Sequence, residues 1–442
     1  MKIFLNSLGC DKNLCDSEEM LGLLSAAGYS FTDEISEAEI IIINSCCFIG
    51  DAQKESIDAI FEAIGYKDVG SCRHIIVAGC LAQRFRGDFL TELPEVDGLL
   101  GTASVHRVRE LLDKVICGEK AEIFDSLDTP AHCGKRRILC TGGHYAYLKI
   151  AEGCGKRCTY CVIPSVRGNY RSVPMEELVR EAGRLAAGGV KELILVAQET
   201  TLYGVDLYGR KALPQLLSAL SEIDGLNWIR LTYCYPEEIT DELIRAIADL
   251  KKVVHYIDMP IQSASDTVLR AMGRKTTRAQ LISTIDRLRA AVPDIVIRTT
   301  LISGFPGETE EDHSATMDFI EQMRFDRLGV FTYSKEDGTV AAGMKNQIPK
   351  KLKDRRRAEL MLLQQKISAE KSERRVGSVL KVFVEGRDTN SNALVGRTYA
   401  DAPEVDGFIF VDTPIDFMSG DYINVRVTGA SEYDLTGEIT DD

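Results

Sequence analysis

Along the first 117 residues, short apolar runs alternate with stretches whose apolar positions recur at helical spacing. Lys2-Ile-Phe-Leu-Asn-Ser, Ala38-Glu-Ile-Ile-Ile-Ile-Asn and Arg73-His-Ile-Ile-Val-Ala are β-branched runs of the buried-strand type. Ser17-Glu-Glu-Met-Leu-Gly-Leu-Leu and Lys54-Glu-Ser-Ile-Asp-Ala-Ile-Phe-Glu-Ala-Ile lie between them and read as helices. Strand–helix alternation predicts an α/β domain with a doubly wound parallel sheet. Residues 117–143 mix Gly, Pro, Asp and Lys without period and read as a linker. From His144 to Ile348 the alternation resumes. Six strand candidates start at Ala146, Glu192, Trp228, Val253, Val296 and Arg327. Periodicity alone fits an open sheet or a partial (β/α) barrel.

Residues 350–375 form one amphipathic helix, with Leu360, Leu363 and Ile367 as its inward stripe. Ten Lys/Arg against four acids give it a local balance of +6, so its polar face is either solvated or turned toward RNA. Beyond it, Val379-Leu-Lys-Val-Phe-Val, Gly407-Phe-Ile-Phe-Val and Tyr422-Ile-Asn-Val-Arg-Val lie between Gly and Asp turns, predicting a small antiparallel β barrel. The pattern divides the chain into residues 1–117, 140–370 and 373–442.

Composition narrows the class. Of 442 residues, 45% are hydrophobic and 27% charged, ordinary values for a globular protein. The apolar start, Met1-Lys-Ile-Phe-Leu-Asn-Ser, is too short for a signal peptide, and no run reaches the ~20 apolar residues of a membrane span. Thirteen cysteines, an odd number, favour metal ligands and free thiols in a reducing compartment over a disulfide framework. A cytoplasmic protein without a membrane partner is expected. The net charge of −14 argues against a nucleic-acid partner for the chain as a whole. Residues 376–442 are more lopsided still, with four basic residues against thirteen acids.

Chemistry concentrates in Cys154-Gly-Lys-Arg-Cys158-Thr-Tyr-Cys161. Thiolates at such short spacing converge on one iron–sulfur cluster. Three of them leave one iron of a four-iron cubane without a protein ligand, and an open position separates a reactive site from a closed one. A zinc knot would pair CxxC units or add His, and neither occurs here. The spacing, with Tyr160 just before the last cysteine, resembles the radical S-adenosylmethionine (SAM) superfamily. That resemblance implies a partial barrel, a 4Fe-4S cluster on Cys154, Cys158 and Cys161, and reductive cleavage of SAM to a deoxyadenosyl radical.

Cys10, Cys46 and Cys80 each follow an apolar strand, at separations of 36 and 34 residues, one strand–helix unit apiece. Residues following successive parallel strands gather at one sheet edge. The three are therefore a second cluster or incidental buried thiols. Across its whole length the chain resembles the methylthiotransferase family of radical SAM enzymes. This implies a second 4Fe-4S cluster on Cys10, Cys46 and Cys80, and a terminal TRAM domain. It also implies two uses of SAM, one donating a methyl group to cluster-bound sulfur and one generating the radical. Cys46, directly after Asn44-Ser45, matches the family position better than Cys47. Tyr160, Gln198, Glu199 and Arg298 are the expected SAM contacts, with the Ile302-Ser-Gly-Phe-Pro-Gly-Glu308 turn. No protein side chain is singled out as catalytic. Cys15, Cys72, Cys117, Cys133, Cys140 and Cys234 fit neither set.

Within the family, one branch modifies tRNA and another an aspartate β-carbon of ribosomal protein S-twelve. Val166-Arg-Gly-Asn-Tyr-Arg-Ser172, Tyr333-Ser-Lys-Glu-Asp-Gly-Thr339, Gly396-Arg-Thr-Tyr-Ala-Asp-Ala-Pro-Glu-Val-Asp-Gly407 and Ala430-Ser-Glu-Tyr-Asp-Leu-Thr-Gly437 are similar to the second. Ser263, in Met259-Pro-Ile-Gln-Ser, is similar to the first. An acidic barrel would repel phosphate and attract a basic ribosomal protein. The expected partners are S-twelve and a reductant such as flavodoxin or ferredoxin, with tRNA as the alternative substrate. A non-catalytic electron-transfer or scaffold protein is the rival outside this chemistry.

Overall fold

The computed structural model describes residues 1–134 and 136–441; Lys135, in the expected linker, and Asp442, one of the acids counted above and the end of the expected third domain, lie outside the described residues. The N-terminal domain is built on β1 (Lys2–Ser7), β2 (Ser30–Phe31), β3 (Ile40–Ser45), β4 (His74–Gly79), β5 (Gly98–Leu100) and β6 (Ala121–Ile123). They form one parallel sheet in the order β2-β1-β3-β4-β5-β6. The four successive isoleucines of β3 are explained by burial on both faces. Ile41 and Ile43 join one apolar cluster, Ile40 and Ile42 the opposite one. β6 falls inside the stretch read as linker; a three-residue Ala-Glu-Ile run is too short and too polar to announce itself. The rest of that stretch is not free either. Ile138 and Cys140 donate backbone N–H groups to the Glu18 carbonyl and carboxylate at 3.1 and 2.9 Å, tying it to the helix Asp11–Ala26.

The core has β7 (Tyr145–Lys149), a small antiparallel pair β8 (Ala151–Glu152) and β9 (Arg171–Ser172), then β10 (Glu192–Val196), β11 (Trp228–Leu231), β12 (Val253–Asp258), β13 (Val296–Ser303) and β14 (Arg327–Thr332). All six expected strands appear, parallel and in the order β14-β13-β12-β11-β10-β7, a curved sheet left open between β7 and β14. Helices cover its outer face. Its inner face, carrying Tyr147, Val196 and Tyr256, packs against Leu14 and Cys15 from the N-terminal domain and Ala400 and Ala402 from the last one. The helix Lys350–Glu373 packs one face on the core and leaves the other exposed. Leu360 and Ile367 are buried, Leu363 is partly so, and Arg356, Lys371 and Arg355 pair with Glu308, Asp326 and Glu310.

The last domain closes as a barrel of β15 (Val379–Arg387), β16 (Leu394–Arg397), β17 (Ile409–Val411), β18 (Tyr422–Ala430) and β19 (Leu435–Ile439). Four seams are antiparallel and the β17–β19 seam is parallel. Five strands in a ring cannot alternate direction all the way round, so one parallel seam is obligatory. The barrel docks at the N-terminal ends of the core strands. Glu192, at the start of β10, receives Arg230 and Arg397 at 2.7 Å each, with all three side chains fully buried. Glu385 meets His144, Asp401 meets Arg327, and Asp406 accepts from the Tyr256 hydroxyl at 2.7 Å. Several acids counted as repelling phosphate are thus spent on docking. No helix among the described residues is long and apolar enough to cross a membrane.

Glu192 is the anion on which this docking turns. Burial alone would raise its pKa, but Arg397 and Arg230 hold it below the usual carboxylate range. Its contribution is therefore complete above about pH 4.3 and fades as pH falls below that. Glu192→Gln, which leaves two buried guanidinium groups without their shared anion, is expected to cost about 3–5 kcal/mol, read as a lower urea midpoint.

Candidate functional site

β1, β3 and β4 end side by side, and the residues just past their ends are Cys10, Cys46 and Cys80. Glycine makes this convergence possible. Gly9 and Gly79 hold φ of +95° and +88°. A methyl group on Gly9 would sit 2.6 Å from Cys46 Cβ, and one on Gly79 would sit 2.4 Å from Asn44 Oδ1. Asn13 fixes the edge by donating its amide to the Leu8 and Ser45 carbonyls at 2.8 and 3.0 Å. The thiol of Cys46 lies within electrostatic reach of both Cys10 and Cys80, whereas Cys47 feels Cys80 and Cys46 and packs into an apolar cluster with Ile60. Burial pushes the Cys46 thiol up to about 12 and raises that of Cys80.

The core triplet follows β8 on a loop pinned from both sides. Cys154 N–H donates to the Gly168 carbonyl at 3.1 Å, and Thr159 N–H to the Met272 carbonyl at 2.9 Å. At Gly153, φ +73°, a methyl group would fall 2.2 Å from the Asn169 carbonyl oxygen. Burial raises the Cys154 and Cys161 thiols to about 11 and 12, and each senses the other two members of the triplet or one of them. Thiols held neutral by burial become ligands only when a metal displaces their protons. Among the described residues no three His, Cys, Asp or Glu side chains converge tightly enough for a single ion. The thiolates of a cubane bind separate irons and stand further apart than the ligands of one ion.

The segment that follows β11 touches the surroundings of both sets. Tyr235 brings its hydroxyl 3.9 Å from Cys158 Sγ, under the Arg274 guanidinium at 4.2 Å from the ring centre. Two residues earlier, Tyr233 turns the other way and meets Lys12, the second residue after Cys10, whose ammonium lies 3.3 Å from the ring centre.

Of the four expected SAM contacts, Tyr160 and Glu199 lie at the triplet, and Gln198 adjoins Glu199 in sequence. Tyr160 lies within electrostatic reach of Cys158 and packs edge-on against Phe305, centroids 6.4 Å apart. Glu199 is fully buried near Cys154, its carboxyl pushed up to about 8 by burial. One Glu199 oxygen accepts the Thr201 N–H at 3.0 Å; the other, like the amide oxygen of Gln198, is buried without a partner. Two such acceptors would suit the amino group of a bound amino acid. Arg298 stands apart from them, paired with Asp258 at 2.9 Å and with Asp406 of the terminal barrel at 3.6 Å. The turn after β13 is internally fastened, Gly304 N–H and Arg356 both donating to Glu308, while buried Phe305 supports Tyr160. Ser263 is buried too, its hydroxyl accepting the Ser265 N–H at 3.2 Å.

Sequence reasoning missed the residues that join the domains. Arg167 donates to Asp16 at 2.8 Å, to Asn13, and to Glu152 at 3.2 Å. Glu336 receives Arg84 at 2.9 Å and the Gln53 amide. Lys12, Tyr233 and Tyr235 were also passed over, although the Tyr-Cys-Tyr that follows a core strand sits where α/β folds bind ligands.

A model of the radical SAM superfamily matches residues 148–320, one described as uncharacterized protein family UPF0004 matches residues 2–101, and a TRAM domain model matches residues 376–440. The chain is 57% identical to the ribosomal protein uS12 methylthiotransferase RimO of Lachnoclostridium phytofermentans, over 99% of each chain. It is 47% identical to the RimO of Acetivibrio thermocellus, over 99% of this chain and 98% of that one. For the RimO of Clostridioides difficile the identity is 43%, over 99% of each. Among solved structures, the radical SAM methyltransferase TsrM of Kitasatospora setae, with cobalamin and a 4Fe-4S cluster bound, aligns with a TM-score of 0.56. That alignment covers 75% of this chain and 74% of the other at 13% identity, a likeness of fold.

After anaerobic reconstitution, Cys46→Ala is expected to lose about half of the iron held by the wild-type chain, and Cys47→Ala to keep it. Full iron in Cys46→Ala would remove the N-terminal cluster. Replacing Cys154, Cys158 and Cys161 together with Ala should also remove about half of the iron, and all deoxyadenosine formation with it.

Proposed function

The chain belongs to the RimO family of ribosomal protein uS12 methylthiotransferases, and on that footing we propose that it adds a methylthio group to the β-carbon of an aspartate in uS12. The reading rests above all on Tyr233 and Tyr235, two residues apart and each turned to a different cysteine set. When bound, the two 4Fe-4S clusters and SAM supply a carbon radical on one side and a methylated sulfur on the other. Cys154, Cys158 and Cys161 would hold the first cluster, Cys10, Cys46 and Cys80 the second. Gln198 and Glu199 offer their unpartnered oxygens to the cofactor's amino group, and Tyr160, braced by Phe305, flanks it. The buried setting of these groups excludes water from a reactive radical. In this reading Arg298 positions the terminal barrel and does not touch the cofactor.

The acidic barrel acts from a distance. It docks at the opposite end of the core strands from the cysteines, and β10 alone, with five residues, spans about 17 Å. That exceeds the ~8 Å Debye length of physiological salt. Its charge therefore steers a basic ribosomal protein toward the molecule without touching the reacting residue. Thirteen cysteines, none of them in a disulfide among the described residues, suit a reducing cytoplasm, where a flavodoxin or ferredoxin would serve as electron donor.

The reconstituted protein, given SAM, reductant and recombinant uS12, should place a methylthio mass on one aspartate and release deoxyadenosine. Unmodified uS12 together with tight, steeply salt-dependent tRNA binding would move the assignment to RNA. Intact clusters without deoxyadenosine would leave only an electron-transfer or scaffold role.

A further inference from the structure

Six lysine or arginine residues are buried among the described residues: Lys12, Arg167, Arg230, Arg274, Arg356 and Arg397. Five of them have a carboxylate within 4 Å: Arg167 has Asp16, Arg230 and Arg397 share Glu192, Arg274 has Glu237 and Arg356 has Glu308. Lys12 is the exception. Its residue is 4% exposed, and its ammonium faces the Tyr233 ring at 3.3 Å. Among the described residues no carboxylate lies within ion-pair distance of it; Tyr233, Cys10 and Asp11 are the groups that favour its charge.

A buried ammonium without a carboxylate partner is rare because desolvation is costly. A ring face compensates only part of that cost. The fold nonetheless holds the arrangement firmly. Tyr233 keeps a left-handed φ of 56°, unusual for an aromatic residue, and its N–H donates to the Asp258 carboxylate at 3.1 Å. Backbone strain retained against its cost clusters where a ligand is gripped. The ammonium lies two residues beyond Cys10 and against Tyr233, itself two residues before Tyr235, whose hydroxyl meets Cys158.

We propose that Lys12 is the group that recognises the substrate, by pairing with the carboxylate of the aspartate to be modified. The inference rests on the functional reading above. An aspartate carboxyl carbon is bonded directly to the β-carbon, so a charge-assisted hydrogen bond to its oxygens fixes the carbon that loses its hydrogen. Lys12 acts in this scheme as a specificity residue. It distinguishes a carboxylate from the isosteric amide, since an amide would leave the buried ammonium unpaired.

The test is binding of anaerobically reconstituted full-length protein to recombinant uS12 carrying either the target aspartate or asparagine in its place. Wild type is expected to bind the aspartate form about 10- to 100-fold more tightly. Lys12→Met should abolish that preference with iron content unchanged, and Lys12→Arg should restore much of it. Equal wild-type affinity for both forms overturns the proposal and needs no variant. So does a preference that survives in Lys12→Met. An equal loss on both substrates, or loss of iron, would instead make Lys12 a counter-charge of the adjacent cluster and overturn it as well. If wild type neither binds nor modifies uS12, the functional reading itself fails, a result distinct from the others.

Discussion

Arg167 is sealed at the seam between the N-terminal domain and the core, donating to Asp16 and Asn13 on one side and Glu152 on the other. Lys149 joins the same two acids, so two cations and two anions meet, Arg167 and Asp16 buried and Lys149 and Glu152 partly so. Such a group is strict about geometry, because shifting either domain leaves a charge desolvated and unpaired. Both ends of the network touch the chemistry. Asn13 braces the strand ends before Cys10 and Cys46, and Glu152 lies two residues before Cys154. The separation of the two cysteine sets is therefore set by an ion-pair group rather than by an adjustable apolar face. The Glu336–Arg84 pair repeats the device at a second point.

Most of the fold was legible because burial writes plainly. The four isoleucines of β3 and the β-branched runs of the core had no other use than a strand covered on both faces. The cysteines were legible because metal chemistry restricts residue type and spacing together. Lys12 and Arg167 were not. A charged residue in sequence carries no sign of being buried, and only the folded chain shows that one has a partner and the other a ring. β6 was missed for the opposite reason, three residues offering too little period to read.

Two sequence cues changed meaning in three dimensions. The residues that looked diagnostic of a substrate branch, Arg167 and Glu336 among them, are fasteners between domains. The acidity of the terminal barrel is partly an adhesive: Glu385, Asp401 and Asp406 are committed to the underside of the core. What selects a substrate thus separates from what marks the family in sequence.

The Glu336–Arg84 pair joins positions 252 residues apart. At the ~5–20 residues per second of synthesis, Arg84 waits roughly 13 to 50 s for its partner to emerge. The Arg167 network closes much sooner, only 151 residues after Asp16. On a growing chain the first clamp therefore shuts while the later core strands are still unmade. The N-terminal domain becomes a template on which the rest of the core is laid down, and the second clamp locks only after the last core strand has been added.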